Sequence, residues 1–454
     1  MLCTLVIAFL TIGQAAAVPG TSQMEEAKDL TSKTEFVSSA SGFSAAKIKD
    51  GSVYTRWKFS GPVEVTLSSA EEICGIYIIW NTPPAAWRLV SDSSSKQYGA
   101  YGFLHEYARP DTPSQTLTLQ LDGEDQVICD IYVFSEGSLP DWVEVWNPPY
   151  DNADMLLIPT HADDEHLFFG GTMPYYAGEL KRKVQVAYLT NHWGEWYRPH
   201  ELLKGLWKVG ITAYPVISEF PDYYSKSLEH AKTLYDEEKI LAFQVSLLRR
   251  FRPEVVIAHD FDGEYGHGVH MLNAHTLAKA LTISADPDSF PDSAAQYGVW
   301  DVPKAYFHLY EENAVIMEWD KLTLSAFEGK TALEMAKEGF AKHTSQQKYF
   351  KVRADGKNDC RKFGLYRSLV GEDQKKNDFF ENIDWNVWDP VSSQSEVSSE
   401  PPVSSEPVSA SSQPSDAKAD NNLIWIVGLG ILFAILLAAS IVFAVIDSRK
   451  RKNK

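Results

Sequence analysis

Two short segments of the sequence carry residues whose types and spacing suit metal chemistry. The first is THADDEH at residues 160–166, and the second is GHGVH at residues 266–270. Zinc prefers histidine nitrogen and carboxylate oxygen ligands, and a catalytic zinc site keeps one position for water. His161 and Asp164 can therefore face one ion while Asp163 faces the water. The competing interpretation is an acidic cluster that stabilises the start of a helix.

The second segment favours the metal interpretation. His267 and His270 are three residues apart, so both side chains can point into one cleft where a loop enters a helix. His270 is the expected third protein ligand. Other histidines are expected to lie on the surface or behind the ligands: His166, His192, His200, His259 and His275.

An alternation of strand and helix patterns begins at Ala153 and predicts the elements that position these residues. Short runs rich in β-branched residues (MLLIPT, KVQVAYLT, ITAYPVI and EVVIAHD) are separated by helix-like segments. The alternation predicts an α/β domain with a Rossmann-like parallel sheet over residues 150–390, in which residues 286–390 have no assigned role. Ligands bind at the carboxyl ends of strands in such sheets, and both metal-type segments follow strands.

Residues 35–137 carry short β patterns separated by turn residues, with no long helical period. They predict an antiparallel β-sandwich over residues 22–140. The stretch IKDGSVYTRWKF resembles discoidin-like (galactose-binding-like) modules, in which an Asp-Gly loop precedes a Thr-x-Trp strand. The resemblance implies a carbohydrate-binding module. Trp57 and Trp87 are then candidate stacking faces, with membership of the core as the alternative.

The segments THADDEHLFFGG and GHGVH, in that order, resemble the PIG-L/LmbE-like family of zinc-dependent de-N-acetylases. The usual family motifs are Ala-His-Pro-Asp-Asp-Glu and His-x-x-His, and the match runs from about residue 153 to 285 through RPHELLKGLWKVG and FPD. The resemblance implies one zinc ion per chain. The residues it implies are the ligands His161, Asp164 and His270, the general base Asp163, an oxyanion-stabilising or proton-donating His267, a substrate-contacting Arg198, and pocket-lining Asp222 and Tyr265.

Two positions depart from the family motifs. Ala162 stands where proline is usual, which loosens the loop but removes no ligand. Gly268 and Val269 stand where Pro-Asp is common between the histidines. If that aspartate supports a histidine, its loss retunes activity.

The two ends of the chain predict export and membrane anchoring. Residues 1–17 resemble a signal peptide, and residues 423–446 form an apolar run long enough to span a bilayer as a single helix. A Ser/Pro/Glu-rich stalk is expected at residues 391–422, and a basic cytoplasmic tail at residues 447–454. The predicted location is a cell membrane, crossed once, with the N-terminal domains outside the cytoplasm.

Export would permit a disulfide among the cysteines that remain after cleavage of the signal peptide. Cys74 and Cys129 both lie in strand-like stretches and are the favoured pair, with Cys360 free. Three single pairings are open to three cysteines, so the preference rests on their strand-like context alone.

A net charge of −19 argues against a nucleic-acid partner, which needs a basic surface. The sequence therefore predicts a metal-dependent hydrolase that removes N-acetyl groups from GlcNAc-containing cell-surface or extracellular glycans. The alternative is a cell-surface glycan-binding protein whose deacetylase-like domain is inactive. The oligomeric state is left open.

Overall fold

The computed structural model describes residues 25–92 and 94–384, and the N-terminal part of these residues consists of antiparallel strands. The strands are β1 (Glu35–Val37), β2 (Trp57–Phe59), β3 (Val63–Ile73), β4 (Gly75–Trp80), β5 (Trp87–Val90), β6 (Ser95–Tyr98), β7 (His105–Ala108), β8 (Ser114–Leu121) and β9 (Gln126–Phe134). They form two sheets, with the orders β1-β3-β8-β5-β6 and β2-β9-β4-β7. The predicted antiparallel β-module is present.

Burial in the two sheets follows their sequence patterns. In β3, Val65 and Leu67 are buried while their neighbours in the strand are more exposed, as expected for a sheet with one solvated face. β4, which reads GIYIIW, is buried along its whole length. Short 3-10 turns at Thr31–Lys33 and Ala45–Lys47 complete this region.

The second region is a mixed sheet with the order β12-β11-β10-β13-β14-β16-β15. β10 to β14 run parallel, while β16 and β15 are antiparallel to their neighbours. The predicted α/β architecture is confirmed, and residues 304–368 supply the last strands of the same sheet. The strands are β10 (Met155–Leu157), β11 (Val184–Tyr188), β12 (Val216–Ile217), β13 (Val255–Ala258), β14 (Lys304–His308), β15 (Ala314–Ile316) and β16 (Lys362–Ser368).

Helices connect these strands. They are α1 (Asp164–Leu167), α2 (Arg198–Lys208), α3 (Leu228–Leu234), α4 (Glu237–Phe251), α5 (Gly263–Gly266), α6 (Gly268–Ile283), α7 (Pro291–Tyr297) and α8 (Ala332–Phe340), with a π-helical segment at Pro174–Glu179 and a 3-10 turn at Ser325–Phe327.

The core of the α/β region lies between the central strands and two long helices. Leu156 of β10 and Val256 of β13 belong to one buried cluster with Phe251 of α4 and Leu277 of α6. α4 begins cleanly because the Asp236 carboxylate accepts hydrogen bonds from the first backbone N–H groups of the helix. This packing fixes the strand ends that carry the two metal-type segments.

The predicted fold class is corrected in one respect. Within residues 25–92 and 94–384, no helix is long and apolar enough to cross a membrane. The longest helix among them, α6, has 16 residues. Such a helix rises about 24 Å at ~1.5 Å per residue, less than the ~30 Å of a hydrocarbon core. The prediction of membrane anchoring and a cell-membrane location is corrected to this extent, since it depended on a spanning helix that the described residues do not contain.

Several predicted terminal segments lie outside the described residues. They are the signal peptide at residues 1–17, the stalk at 391–422, the apolar run at 423–446 and the basic tail at 447–454.

The favoured disulfide is also corrected, because Cys74, Cys129 and Cys360 are all free and buried. Cys74 directly precedes Gly75, which pairs with Phe134, whereas Cys129 follows Ile128, which pairs with Trp80. The two cysteines thus lie near opposite ends of the paired strands β4 and β9. At ~3.3 Å per residue their separation is roughly 16 Å, beyond the ~7 Å between α-carbons that a disulfide can bridge.

The proposed aromatic stacking faces belong to the core. Trp57 and Trp87 are each 2% exposed, and the indole N–H of Trp87 donates to Glu106 Oε2 at 2.8 Å. Neither ring offers a face to a glycan, so the alternative interpretation holds for both.

Candidate metal centre

The two histidine-bearing segments lie side by side because the strands before them are neighbours. β10 and β13 pair in parallel, with Leu157 opposite Ile257. The loops that leave their carboxyl ends therefore meet at one edge of the sheet. The first loop ends at Asp163, which precedes α1, and the second leads through α5 to His267, which precedes α6.

The three predicted ligands form a compact triangle. His161 Nδ1 is 3.0 Å from Asp164 Oδ2, His270 Nε2 is 3.2 Å from the same oxygen, and the two nitrogens are 2.9 Å apart. Zinc bonds of about 2.0–2.2 Å place tetrahedral ligand atoms roughly 3.3 Å apart. All three side chains are buried. The donor set and its spacing therefore fit a tetrahedral metal ion with one position left open.

Two more histidines flank this triangle. His259 Nε2 is 3.5 Å from Asp164 Oδ2, but it already accepts a hydrogen bond from the backbone N–H of Thr160 at 2.9 Å. The His267 ring centroid is 4.9 Å from those of His161 and His270. His259 could hold an ion together with Asp164 and His270, but in this structure the lone pair of its Nε2 is occupied by the hydrogen bond from Thr160.

The two adjacent aspartates have opposite electrostatic environments. Burial raises the pKa of both carboxyls, but His270 and His161 hold the pKa of Asp164 well below its usual range. For Asp163, burial and the charge of Asp164 raise the pKa to about 7, against the opposing effect of Arg198. A bound divalent cation would lower the pKa of Asp163. Asp164 thus suits a ligand, and Asp163 suits a group that takes up and releases a proton.

The His267 ring is neutral in this environment. Burial and the neighbouring imidazoles of His161 and His270 lower its pKa to about 3. Its Nδ1 is buried without a hydrogen-bond partner among the described residues. His267 is therefore suited to donate an N–H rather than to carry a positive charge.

The remaining predicted residues surround the triangle. Arg198 Nη2 lies 3.5 Å from Asp163 Oδ1 and also donates to the carbonyl of Ala162. Asp222 Oδ1 lies 3.3 Å from His161 Nε2, and the Tyr265 ring stacks on His267 with centroids 5.4 Å apart. The structure thus brings together all the predicted site residues.

All of these side chains except that of His270 line a cleft of about 150 Å³. The sequence analysis missed part of the lining, namely Leu167, Tyr224, Gln346 and Phe350. Gln346 and Phe350 come from the segment after α8, to which no role was assigned. No sequence signal marks them, since only the packing of that segment brings them to the cleft.

Residues 156–281 match the family model of the GlcNAc-PI de-N-acetylase, PIG-L. The match contains both metal-type segments and every predicted site residue. Residues 156–281 form a PIG-L domain.

The PIG-L domain is similar to curated bacterial proteins. The 1D-myo-inositol 2-acetamido-2-deoxy-alpha-D-glucopyranoside deacetylase of Streptomyces scabiei is 27% identical over 195 residues, which cover 37% of this chain and 59% of the relative. The corresponding deacetylase 2 of Saccharopolyspora erythraea is 27% identical over 265 residues, 52% of this chain and 88% of the relative. This chain spans about three fifths of the length of most of the curated relatives it matches.

Among solved structures, the N,N'-diacetylchitobiose deacetylase from Pyrococcus horikoshii matches 44% of this chain and 72% of its own chain. The identity is 15% and the TM-score is 0.32.

Glu264 is the main residue of the PIG-L domain site that the sequence analysis missed. Its Oε2 lies 2.7 Å from His270 Nδ1, and its Oε1 lies 2.8 Å from His259 Nδ1 and 3.1 Å from His308 Nδ1. A carboxylate on Nδ1 fixes the tautomer that leaves Nε2 free for a metal. Glu264 thus orients the His270 ring. The family motif commonly has Pro-Asp between its histidines, and here Gly268 and Val269 stand at those positions. The motif HDFDGEYGH, with a glutamate between histidines, was the available signal.

The replacement of proline by Ala162 has a structural consequence in the PIG-L domain. The backbone N–H of Ala162 donates to His192 Nε2 at 3.1 Å, a bond that proline cannot make. His192 Nδ1 in turn lies 3.4 Å from Asp222 Oδ2. The loop that carries the ligands is therefore held by a hydrogen bond where the usual motif relies on a rigid ring.

Proposed function

We propose that this chain is a zinc-dependent de-N-acetylase that hydrolyses the acetamide of N-acetylglucosamine-containing glycans or glycosides to acetate and a free amine. The observation that carries the proposal is the triangle of His161 Nδ1, Asp164 Oδ2 and His270 Nε2 with Asp163 buried beside it. The similar bacterial proteins are deacetylases of an inositol glycoside of 2-acetamido-2-deoxyglucose, which supports the substrate class.

His161, Asp164 and His270 would hold the zinc ion. When bound, zinc supplies Lewis-acid chemistry, acidifying water and polarising a carbonyl oxygen. Glu264 keeps His270 oriented toward the ion through its Nδ1. Among the candidate metals, zinc best suits two histidines and one carboxylate with an open position.

Asp163 is the proposed general base. It takes a proton from the attacking water and delivers it to the amine that leaves when the C–N bond breaks. Burial and the charge of Asp164 raise the pKa of Asp163, whereas a bound cation would lower it and favour the carboxylate form that accepts the proton. Arg198, 3.5 Å away, orients the carboxylate toward the cleft.

Negative charge develops on the amide oxygen as water attacks. The neutral His267 ring faces the cleft beside His161 and has an unpartnered Nδ1 among the described residues. We assign His267 to stabilise that charge by donating a hydrogen bond. Asp222 and Tyr265, which line the same cleft, are assigned to hold the sugar.

We also propose that the chain divides into a β-module at residues 22–140 and a catalytic domain at residues 150–390.

The test of the activity is acetate release from a panel of N-acetylated sugars and glycans that includes GlcNAc glycosides. Asp163→Asn is the variant expected to be inactive. Asp262→Asn, at an exposed aspartate in the neighbouring loop, is the matched control. Wild type and control should release acetate from GlcNAc substrates. Equal release by Asp163→Asn would contradict the assigned base, and no release from any substrate would contradict the activity.

A further inference from the structure

A second cluster of potential metal ligands lies behind the catalytic loop and is separate from the triangle described above. Glu165 and His166 of α1 meet His343, which follows the end of α8. All three side chains are completely buried. The segment after α8, which the sequence analysis left without a role, thus contributes to this cluster.

The cluster has the spacing of a metal site. Glu165 Oε1 lies 3.1 Å from His343 Nε2 and 3.3 Å from His166 Nε2. Tetrahedral zinc with bonds of about 2.0–2.2 Å places its ligand atoms roughly 3.3 Å apart. Two imidazole nitrogens and one carboxylate oxygen are donors that borderline divalent transition metals prefer.

The donor atoms are also unpartnered. Among the described residues, neither ring nitrogen of His166 or His343 makes a hydrogen bond, and neither does Glu165 Oε1, despite the short separations. The hydroxyl of Tyr188 is buried beside the Glu165 carboxylate and has no other polar partner among the described residues. Polar groups buried in this way are costly unless something compensates. A cation shared by all of them would compensate.

Two glycines keep the space around the imidazoles open. A Cβ at Gly205 of α2 would lie 2.8 Å from both His166 Nε2 and His343 Nε2, and one at Gly339 of α8 would lie 2.3 Å from His166 Cε1. Any larger residue at either position would intrude on the cluster. The packing of α2 and α8 therefore leaves the rings accessible to an ion rather than to a side chain.

We propose that Glu165, His166 and His343 bind a second divalent transition-metal ion of the zinc class, with the Tyr188 hydroxyl or a water at the remaining position. This site goes beyond the proposed function, which needs only the first ion. Glu165 connects the two, since its Oε2 accepts the backbone N–H of Asp163 at 2.8 Å while Oε1 faces the second site. Asp163 has φ 125°, a conformation that L-residues rarely adopt. The second ion thus fixes the backbone of the proposed base.

The test is the metal content of the purified full chain after dialysis against zinc and removal of free metal. Wild type should hold two zinc ions per chain, and His343→Gln and His270→Ala should each hold one. The control His275→Gln, at an exposed histidine, should hold two. A single ion in wild type that His270→Ala removes and His343→Gln retains would overturn the second site and leave the first intact. Retention of both ions by His270→Ala would instead count against the catalytic centre.

A second measurement does not depend on the variants folding. An anomalous difference map of zinc-loaded wild-type crystals, recorded at the zinc edge, should show a peak within about 2.3 Å of Glu165 Oε1, His166 Nε2 and His343 Nε2. A peak at the first triangle with none at this cluster, or an ordered water in its place, would overturn the proposal.

Discussion

Two neighbouring carboxylates, Asp163 and Asp164, face the same cleft but are suited to different tasks. Asp164 is held ionised by two histidines, whereas Asp163 is buried beside another negative charge and has a raised pKa. Environment, rather than residue type, separates a ligand from a base.

Asp163→Asn should therefore retain metal and lose turnover, because an amide cannot accept the proton of the attacking water. Loss of general base catalysis costs about 10²–10⁴-fold in rate. Metal content and kcat measured on the same preparation check this. If Asp163→Asn lost its metal while Asp164→Asn kept it, the two roles would be exchanged.

Glu264 gives a second prediction for a single residue. Glu264→Gln removes the charge that orients His270 and His259, so the affinity of the first site for zinc should fall about 10–100-fold. Competition with a chelator of known affinity measures the change. Asp262→Asn, two residues away and exposed, is the matched control. An unchanged affinity would show that the neighbouring packing alone orients His270.

At the scale of elements, helix α2 connects the β-module to the cleft. It begins at Arg198, and its His200 Nδ1 lies 2.9 Å from His105 Nε2 of β7, whose Nδ1 lies 2.7 Å from Glu144 Oε2. This buried chain of polar contacts holds α2 against the β-module, and α2 in turn positions Arg198 at the cleft.

His105→Phe should consequently destabilise the protein, because it keeps a ring but removes the partner of His200 Nδ1 and leaves Glu144 Oε2 with only the Trp146 indole N–H. Buried groups left without partners cost about 1–3 kcal/mol each. The melting temperature should fall by several degrees, while His275→Phe, at an exposed site, should change it little. An unchanged melting temperature for His105→Phe would argue that β7 and α2 are held by apolar contacts alone.

The start of β13 provides a pH-dependent prediction. Burial raises the pKa of Glu254 to about 8, and its Oε2 has no hydrogen-bond partner among the described residues. The folded state thus holds this proton more tightly than the unfolded state. Any stability from Glu254 is fully present below the unfolded pKa and is lost as pH rises toward 8.

Glu254→Gln keeps a neutral side chain of the same size at every pH. The melting temperature of the variant relative to wild type should therefore rise between pH 5 and pH 9. A constant difference across that range would show that the carboxyl is ionised in the folded protein at all these pH values.

At the scale of the whole molecule, the α/β architecture and the metal triangle were accessible from sequence because both depend on local order. THADDEH follows β10 closely and GHGVH follows β13 through α5, so neighbouring parallel strands bring their histidines together. Gln346 and Phe350 were inaccessible, since they reach the cleft from a distant segment through packing after α8. The disulfide failed for the same reason, because strand-like context does not give the register of β4 against β9.

The terminal segments could be predicted only from the composition and length of the sequence. The predicted span depended on the length and apolar composition of residues 423–446, which lie outside the described residues, and no helix within the described residues is long and apolar enough to cross a membrane.

Acetate release should depend on a metal held by His161, Asp164 and His270. The most direct test compares three preparations of the full chain on one GlcNAc glycoside: metal-loaded, stripped by a chelator, and stripped then reloaded with zinc. We expect acetate from the first preparation and almost none from the second. Release should recover in the third preparation of the wild type but not in that of His270→Ala. Equal acetate release from the stripped and loaded protein, or recovery in His270→Ala, would contradict this metal dependence.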